Sequence, residues 1–205
     1  MCLIEINGLI VVHQYIGPLV ALRNQQNTFS GISDPAWEAF IDLMRPMNLA
    51  AGDCLLRAGQ PARYLAYIVK GSMREYYATS EGSEFNKAFV LSGSFTGSLF
   101  DLLSGEPSTV SIQALKDCEL LVAPFIDFQK LYDTYPCWER AGRLLTESLF
   151  MKKARREHEF LTMSAWERYQ SLLREYPDLE QQVPQYHIAS YLGITPVMLS
   201  RLRRR

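Results

Sequence analysis

The sequence predicts an α+β fold whose β and α parts lie in separate blocks, and three observations carry that expectation. Short strand-like pieces recur through residues 47–125 at intervals of about ten residues, with turn residues between them; this is the spacing of an all-β barrel or sandwich. Residues 137–162 then run without a proline and with one glycine, Gly142, which suits a single long helix. Finally, Gln185 to Arg204, QYHIASYLGITPVMLSRLRR, sets two short helical patterns around a glycine turn.

Along the chain, residues 1–29 read as an N-terminal extension that packs on the body or starts upstream of the true domain. Residues 6–22 contain no Lys, Arg, Asp or Glu, but Asn7, Gly8, His13, Gln14, Gly17 and Pro18 interrupt the run and no Lys or Arg precedes it. Neither a signal peptide nor a membrane span is expected there, and the expected location is cytoplasmic. Residues 34–46 read as a helix with Asp34 as N-cap, Pro35 at its start and Pro46 at its end. Trp37, Phe40, Ile41 and Met44 share one face of it. The strand pieces are CLLRAG, YLAYIVKG, SMREYYAT, FNKAFVL, TVSIQAL and CELLVAP, interrupted by a helical turn at 97–103 that Gly97-Ser98 opens.

A short helix over FIDFQKLYDTY precedes Pro136, where the long helix starts; at 1.5 Å per residue that helix is about 40 Å long. Ala141, Leu144, Leu145 and Leu149 mark its apolar stripe, continued at roughly heptad spacing by Ser148, Met151, Arg155 and His158. A helix longer than one small β domain can cover points to dimerisation. Ser164 and Glu167 form a capping box for a helix over 164–176, which Pro177 closes. Residues 178–184 read as a polar connector able to hold a reduced hairpin.

Composition bounds the function. The 205 residues are 48% apolar and 21% charged, an ordinary globular balance that excludes disorder and fibrous repeats. Lys and Arg total 21 against 22 Asp and Glu, but unevenly. Residues 1–139 hold 9 basic against 15 acidic side chains and residues 140–205 hold 12 against 7, so two modules with different partners are expected. Cys2, Cys54, Cys118 and Cys137 are too dispersed for a metal or cluster motif, and His13, His158 and His187 are scattered; no metal site and no cofactor are predicted. Residues 47–125 contain no histidine, which argues against a metal-dependent barrel enzyme. No nucleophilic set such as Ser-His-Asp has support in the sequence, so no catalytic residue is assigned and the chain reads as a non-enzyme.

The 185–204 segment fits a helix-turn-helix position by position. Ala189 is the small residue where two helices cross, Gly193 supplies the turn, and Ile188, Leu192, Leu199 and Leu202 lock the pair. Thr195 is the N-cap and Pro196 the first residue of the second helix. That helix exposes Ser200, Arg201, Arg203 and Arg204, with Arg205 beyond. Such a helix enters the major groove. Arg201 is placed to read a base edge, while Arg203, Arg204 and Arg205 reach phosphates.

The order of these parts resembles the Crp/Fnr family of bacterial regulators, typified by the cAMP receptor protein and the fumarate–nitrate regulator, over about residues 30–205. The carriers are YLAYIVKGSMREYY, GSFTGSLFDLLSGEPSTVSIQAL and the 185–204 motif. The resemblance implies a double-stranded β-helix (a β-roll of the cyclic-nucleotide-binding type) with flanking helices at 30–133, a dimerisation helix at 134–162, and a DNA-binding domain at 163–205. It implies a homodimer paired through the long helix, double-stranded DNA as partner, RNA polymerase as a further partner, and no membrane. It also places an effector pocket around Gly97, Ser98, Leu99, Ser108 and Thr109.

Departures qualify what is carried over. Nucleotide-binding members hold the ribose with a Glu and the cyclic phosphate with an Arg; laid on this chain, those positions are Ser98 and Ser108. Losing a charge-assisted contact to phosphate costs on the order of 2–3 kcal/mol, so cAMP is not the expected effector. Pro196 and Val197 stand where an Arg-Glu pair often reads bases, so the sequence preference is expected to differ from the type member's. The fumarate–nitrate regulator's cysteine cluster is absent. The competing reading is a ligand-sensing or scaffolding module of the same fold without DNA binding, motivated by the short stretch after the motif.

Overall fold

The computed structural model describes residues 3–6, 9–12, 15–24, 29 and 31–204. Strands β1 (Leu3–Ile6) and β2 (Leu9–Val12) pair antiparallel, and helix α1 (Ile16–Arg23) follows. Next come α2 (Asp34–Ile41), β3 (Arg45–Leu49), β4 (Cys54–Leu56), β5 (Tyr64–Lys70), β6 (Ser72–Ala78), β7 (Glu84–Leu91) and β8 (Phe95–Thr96). Helix α3 (Leu99–Ser104) interrupts the β block before β9 (Ser111–Ala114) and β10 (Cys118–Pro124). Helices α4 (Phe125–Thr134), α5 (Cys137–Thr162), α6 (Ala165–Glu175), α7 (Leu179–Gln182), α8 (Gln185–Leu192) and α9 (Pro196–Leu202) complete the chain.

The roll consists of two four-stranded antiparallel sheets, ordered β3-β10-β5-β8 and β4-β9-β6-β7. Strands β5 and β10 explain its layering. Their side chains alternate between two cores: Ala66, Ile68, Leu120 and Val122 face the other sheet with Met73, Val90, Ile112 and Ala114. Leu65, Tyr67, Leu121 and Ala123 face the flanking helices. A strand buried on both faces reads as a continuous apolar run, as YLAYIVK and CELLVAP do. The helical layer is anchored by Trp138 at the start of α5, whose ring centroid lies 4.8 Å from that of Phe40. Its indole N–H donates to the Ala36 carbonyl at 3.0 Å. Tyr15, Leu19 and Leu22 join the same cluster, so this part of the N-terminal segment is built into the body.

Four local expectations are corrected. The helix at 34 ends at Ile41, and Pro46 lies in β3; β3 is an edge strand, where a residue lacking an N–H is tolerated. The extended N-cap of α2 is Ser33, while Asp34 is its first helical residue and pairs with Arg23 of α1. The strand expected from Thr109 begins at Ser111. Residues 178–184 form no hairpin: α7 replaces it because Leu179 and Val183 are both buried beneath the C-terminal helices.

The capping box of α6 is present. Ser164 Oγ accepts from Glu167 N–H at 3.3 Å, and Glu167 Oε2 accepts from Ser164 N–H at 2.8 Å. Helix α5 buries only Trp138 and Ala141. Leu149, Phe150, Met151 and Leu161 further along it are exposed, leaving apolar surface that this chain does not cover.

Candidate nucleic-acid interface and effector pocket

Helices α8 and α9 form the expected two-helix unit. Ile188, Ala189, Leu192, Leu199 and Leu202 are all buried. Gly193 ends α8 at φ +68, and a Cβ there would come within 2.8 Å of the Phe160 ring, so conformation and space both select glycine. Thr195 caps α9, its Oγ1 accepting from Met198 N–H at 3.1 Å.

The structure separates the arginines that the sequence grouped. Arg201, Arg203 and Arg204 are all exposed at the end of α9. Arg203 Nε lies 3.0 Å from Glu180 Oε1 in α7, and that carboxylate oxygen also accepts from Tyr169 O–H at 2.7 Å. Burial, reinforced by Glu180, pushes the Tyr169 hydroxyl up to about 12, which keeps the proton on the donor. Arg203 thus braces α9 against the preceding helices. Ser200 is half-buried, Thr195 is committed to its cap, and Arg205 lies outside the described residues. Val197 and Met198, which the sequence reading left out of the site, are exposed on the first turn of α9. Val197 and Arg201, four residues apart, share one face. Their signal was apolar residues where a helix-turn-helix offers its base-reading turn.

The residues expected around an effector are also divided. A cavity of about 320 Å³ in the roll is lined by Gln60, Arg63, Tyr64, Gly97 and Ser98, with apolar walls that include Leu56 and Ile112. Gly97 has φ +152, and a Cβ on it would meet the Tyr64 carbonyl at 3.0 Å. Of the five expected residues, Gly97 and Ser98 reach this cavity. Leu99 packs against the helical core and Thr109 is exposed. Ser108 is buried and turned to Asp101: its Oγ donates to Asp101 Oδ2 at 2.6 Å, and its backbone is zipped to the 59–61 loop by Gly59 N–H to Ser108 O at 2.7 Å and Ser108 N–H to Gln60 O at 2.9 Å. Asp101 is itself buried, so the Ser108 hydroxyl is occupied by a side chain of the roll rather than turned to the cavity. Sequence patterns missed it because Asp101 sits in the otherwise apolar helical turn LFDLLS.

Among the described residues no group of His, Cys, Asp and Glu is arranged to hold a metal ion, and no helix is long and apolar enough to cross a membrane.

Comparison with known proteins agrees with this geometry. Residues 46–135 match the family described as the cyclic nucleotide-binding domain. The cAMP-activated global transcriptional regulator CRP of Salmonella typhimurium is 27% identical over 104 residues, 51% of this chain and 50% of that one. The chain therefore spans about half the length of the curated relatives it matches. Among solved structures, FixK2 from Bradyrhizobium japonicum superposes with a TM-score of 0.67 at 19% identity, covering 78% of this chain and 83% of that chain. The c-di-GMP responsive global regulator CLP of Xanthomonas campestris gives 0.63 at 19% identity, covering 84% and 90%.

Proposed function

We propose that this chain, whose residues 46–135 are a domain of the cyclic nucleotide-binding family and whose fold is the β-roll fold of the Crp/Fnr regulators, works as a DNA-binding transcription regulator. The observation that carries the reading is the outer face of α9. Val197 and Arg201 stand exposed on one side of a helix whose other side is locked to α8 by Leu199 and Leu202, with Arg204 at its end. A rigid helix presenting an arginine and an apolar side chain one turn apart suits a major groove, where guanine takes the guanidinium and a thymine methyl takes the apolar contact. Arg203, exposed but paired with Glu180, is not assigned to the reading face.

The regulator is proposed to act as a homodimer, with α5 supplying the pairing surface, and to sense something other than cAMP. Ser98 and Ser108 lack the charge that would hold a ribose and a cyclic phosphate, and the Ser108 hydroxyl is already committed to the buried Asp101 side chain. The 320 Å³ cavity is of a size for a small effector.

Duplex binding measured by fluorescence anisotropy over promoter fragments tests the DNA reading. Affinity should fall steeply with salt, by a slope of about 0.9 per phosphate contacted. Arg201→Ala should cost about 1–3 kcal/mol and relax the sequence preference. No binding to any duplex at low salt ends the DNA reading and leaves the sensing or scaffolding module. A thermal-shift series with cAMP and cGMP should give no stabilisation; a clear shift would contradict the assignment of Ser98 and Ser108.

A further inference from the structure

The helix-turn-helix unit lies against the roll of its own chain, and the contact is polar, buried and specific. Strand β7 is the free edge of its sheet, which leaves alternate backbone N–H and C=O groups without a strand partner. Helix α8 covers that edge. Ser190 Oγ accepts from Asn86 N–H at 3.0 Å and donates to the Glu84 carbonyl at 3.2 Å, so one hydroxyl satisfies both edge groups. Arg156 of α5 reaches the Tyr191 carbonyl at 3.0 Å and the Asn86 carbonyl at 3.4 Å. The Phe89 and Tyr191 rings close the apolar side at 5.4 Å.

At the centre is Arg74 of β6, which is 4% exposed. The roll already holds its guanidinium. Gln113 Oε1 accepts from Nε at 2.9 Å and from one terminal nitrogen at 2.7 Å. Glu84 lies 2.6 Å from that same nitrogen, and the Tyr76 ring lies 3.9 Å from the guanidinium carbon. The remaining nitrogen points at the helix-turn-helix unit, 3.3 Å from Asn86 Oδ1 and 3.2 Å from His187 Nδ1. Asn86 Nδ2 also lies 3.2 Å from that Nδ1 and donates to the His187 carbonyl at 3.1 Å. A bulge between Glu75 and Tyr76 lies beside Arg74 in β6; bulges of this kind re-aim side chains.

We propose that Arg74 and Asn86 are positioning residues that latch α8 to the edge of the roll, so that the sensor sets the pose of the DNA-binding unit. The roll holds the guanidinium on its other nitrogens, so its last edge meets Asn86 Oδ1 on β7 and one group on α8, His187 Nδ1, which accepts when unprotonated. Arg74 is bonded to Gln113, the neighbour of the cavity residue Ile112, so a bonded route runs from the cavity to α8 through the latch.

The latch stands on geometry alone; only its consequence for DNA rests on the proposed function. The test is amide hydrogen exchange on the full chain with Arg74→Met, His187→Leu and the double variant. Each single variant should speed exchange in α8 and at Asn86 by ~10-fold or more, leave β5 and β10 unchanged, and combine without further gain. Arg74→Lys keeps the charge but not the fork and should not restore protection. His187→Leu cuts the contact from the α8 side, so a defect of Arg74→Met in the roll itself does not confuse the result. Unchanged α8 exchange, equal acceleration in β5 and β10, or multiplicative effects would overturn the latch. In parallel, affinity for a mixed-sequence duplex should change ~3-fold or more in His187→Leu, with Arg201→Ala losing binding at normal α8 exchange. Duplex binding that is measurable in the unaltered protein but indifferent to His187→Leu would overturn the control of DNA binding by the latch. If the unaltered protein binds no duplex, the DNA reading falls and the exchange data still decide the latch.

Discussion

At the scale of single residues, His187 shows how one proton bears on the contact between roll and α8. Burial and the Arg74 guanidinium lower its pKa to about 4, against a smaller opposing effect of Glu84. Those two charges, neutral Asn86 and the Tyr186 ring, whose centroid lies 4.1 Å away, face the imidazole. The docked state therefore binds fewer protons than the released or unfolded state between pH 4 and the usual 6.5. Stability rises with pH wherever the unfolded state holds more protons. The contribution is complete above about pH 6.5 and declines as pH falls toward 4, by at most about 1.4 kcal/mol per unit. Denaturant unfolding at pH 7 and pH 4.5 should show a larger acid loss in the unaltered protein than in His187→Gln, which has an acceptor but no titration. Equal losses would remove His187 from the contact. Asp101 shows the other side of residue chemistry: the departures at Ser98 and Ser108 are legible in the sequence, but the carboxylate beside Ser108 is not, because its seven-residue separation gains meaning only when the loop folds back.

At the scale of elements, the turn between α8 and α9 is the most exacting. Gly193 holds φ +68 with Phe160 packed over it. Gly193→Ala places an ordinary residue in the left-handed region, costing about 1–2 kcal/mol, with a further small cost as the half-exposed Phe160 ring swings aside. For a chain of this length that lowers the melting midpoint by about 2–8 °C, and Gly193→Asn should be milder because asparagine tolerates that conformation. A calorimetric scan showing no loss for the alanine variant would contradict the turn geometry. Elements of this kind were readable beforehand because local chemistry fixes them: the glycine, the Thr195 cap, the Ser164–Glu167 box and the strand runs that became β5 and β10. Those the sequence concealed depend on distant partners. Strand β3 contains Pro46 and exists because β10 offers it an edge. The four-residue α7 exists because Leu179 and Val183 must reach the core under α8. The docking of α8 on β7 left no periodic trace, since Asn86, Ser190 and His187 are ordinary polar residues until the two elements meet.

At the scale of the whole molecule, the long helix is the unfinished part of the structure. Beyond Ala141 it buries no further side chain, and Leu149, Phe150 and Met151 follow one another in sequence while all remaining exposed. Three successive helical residues span about 200° of the helix surface, so more than one face needs covering. In the proposed homodimer a second copy paired along α5 would cover this apolar surface, and two copies would place two α9 helices on one assembly, as recognition of paired half-sites requires. An interface of about 1,600 Å² is the usual size for stable association. Leu149→Glu combined with Phe150→Glu puts two like charges per copy into that seam and should abolish it. Light scattering at micromolar concentration should give twice the chain mass for the unaltered protein and the single mass for the double variant. The variant should keep its far-ultraviolet helical signal, because neither side chain is buried in the single chain. It should also lose most of its duplex affinity although Arg201 and the α8–roll contact are untouched, because each copy then grips one half-site alone. A protein that runs as a monomer before any substitution would remove both the seam and the paired reading of DNA.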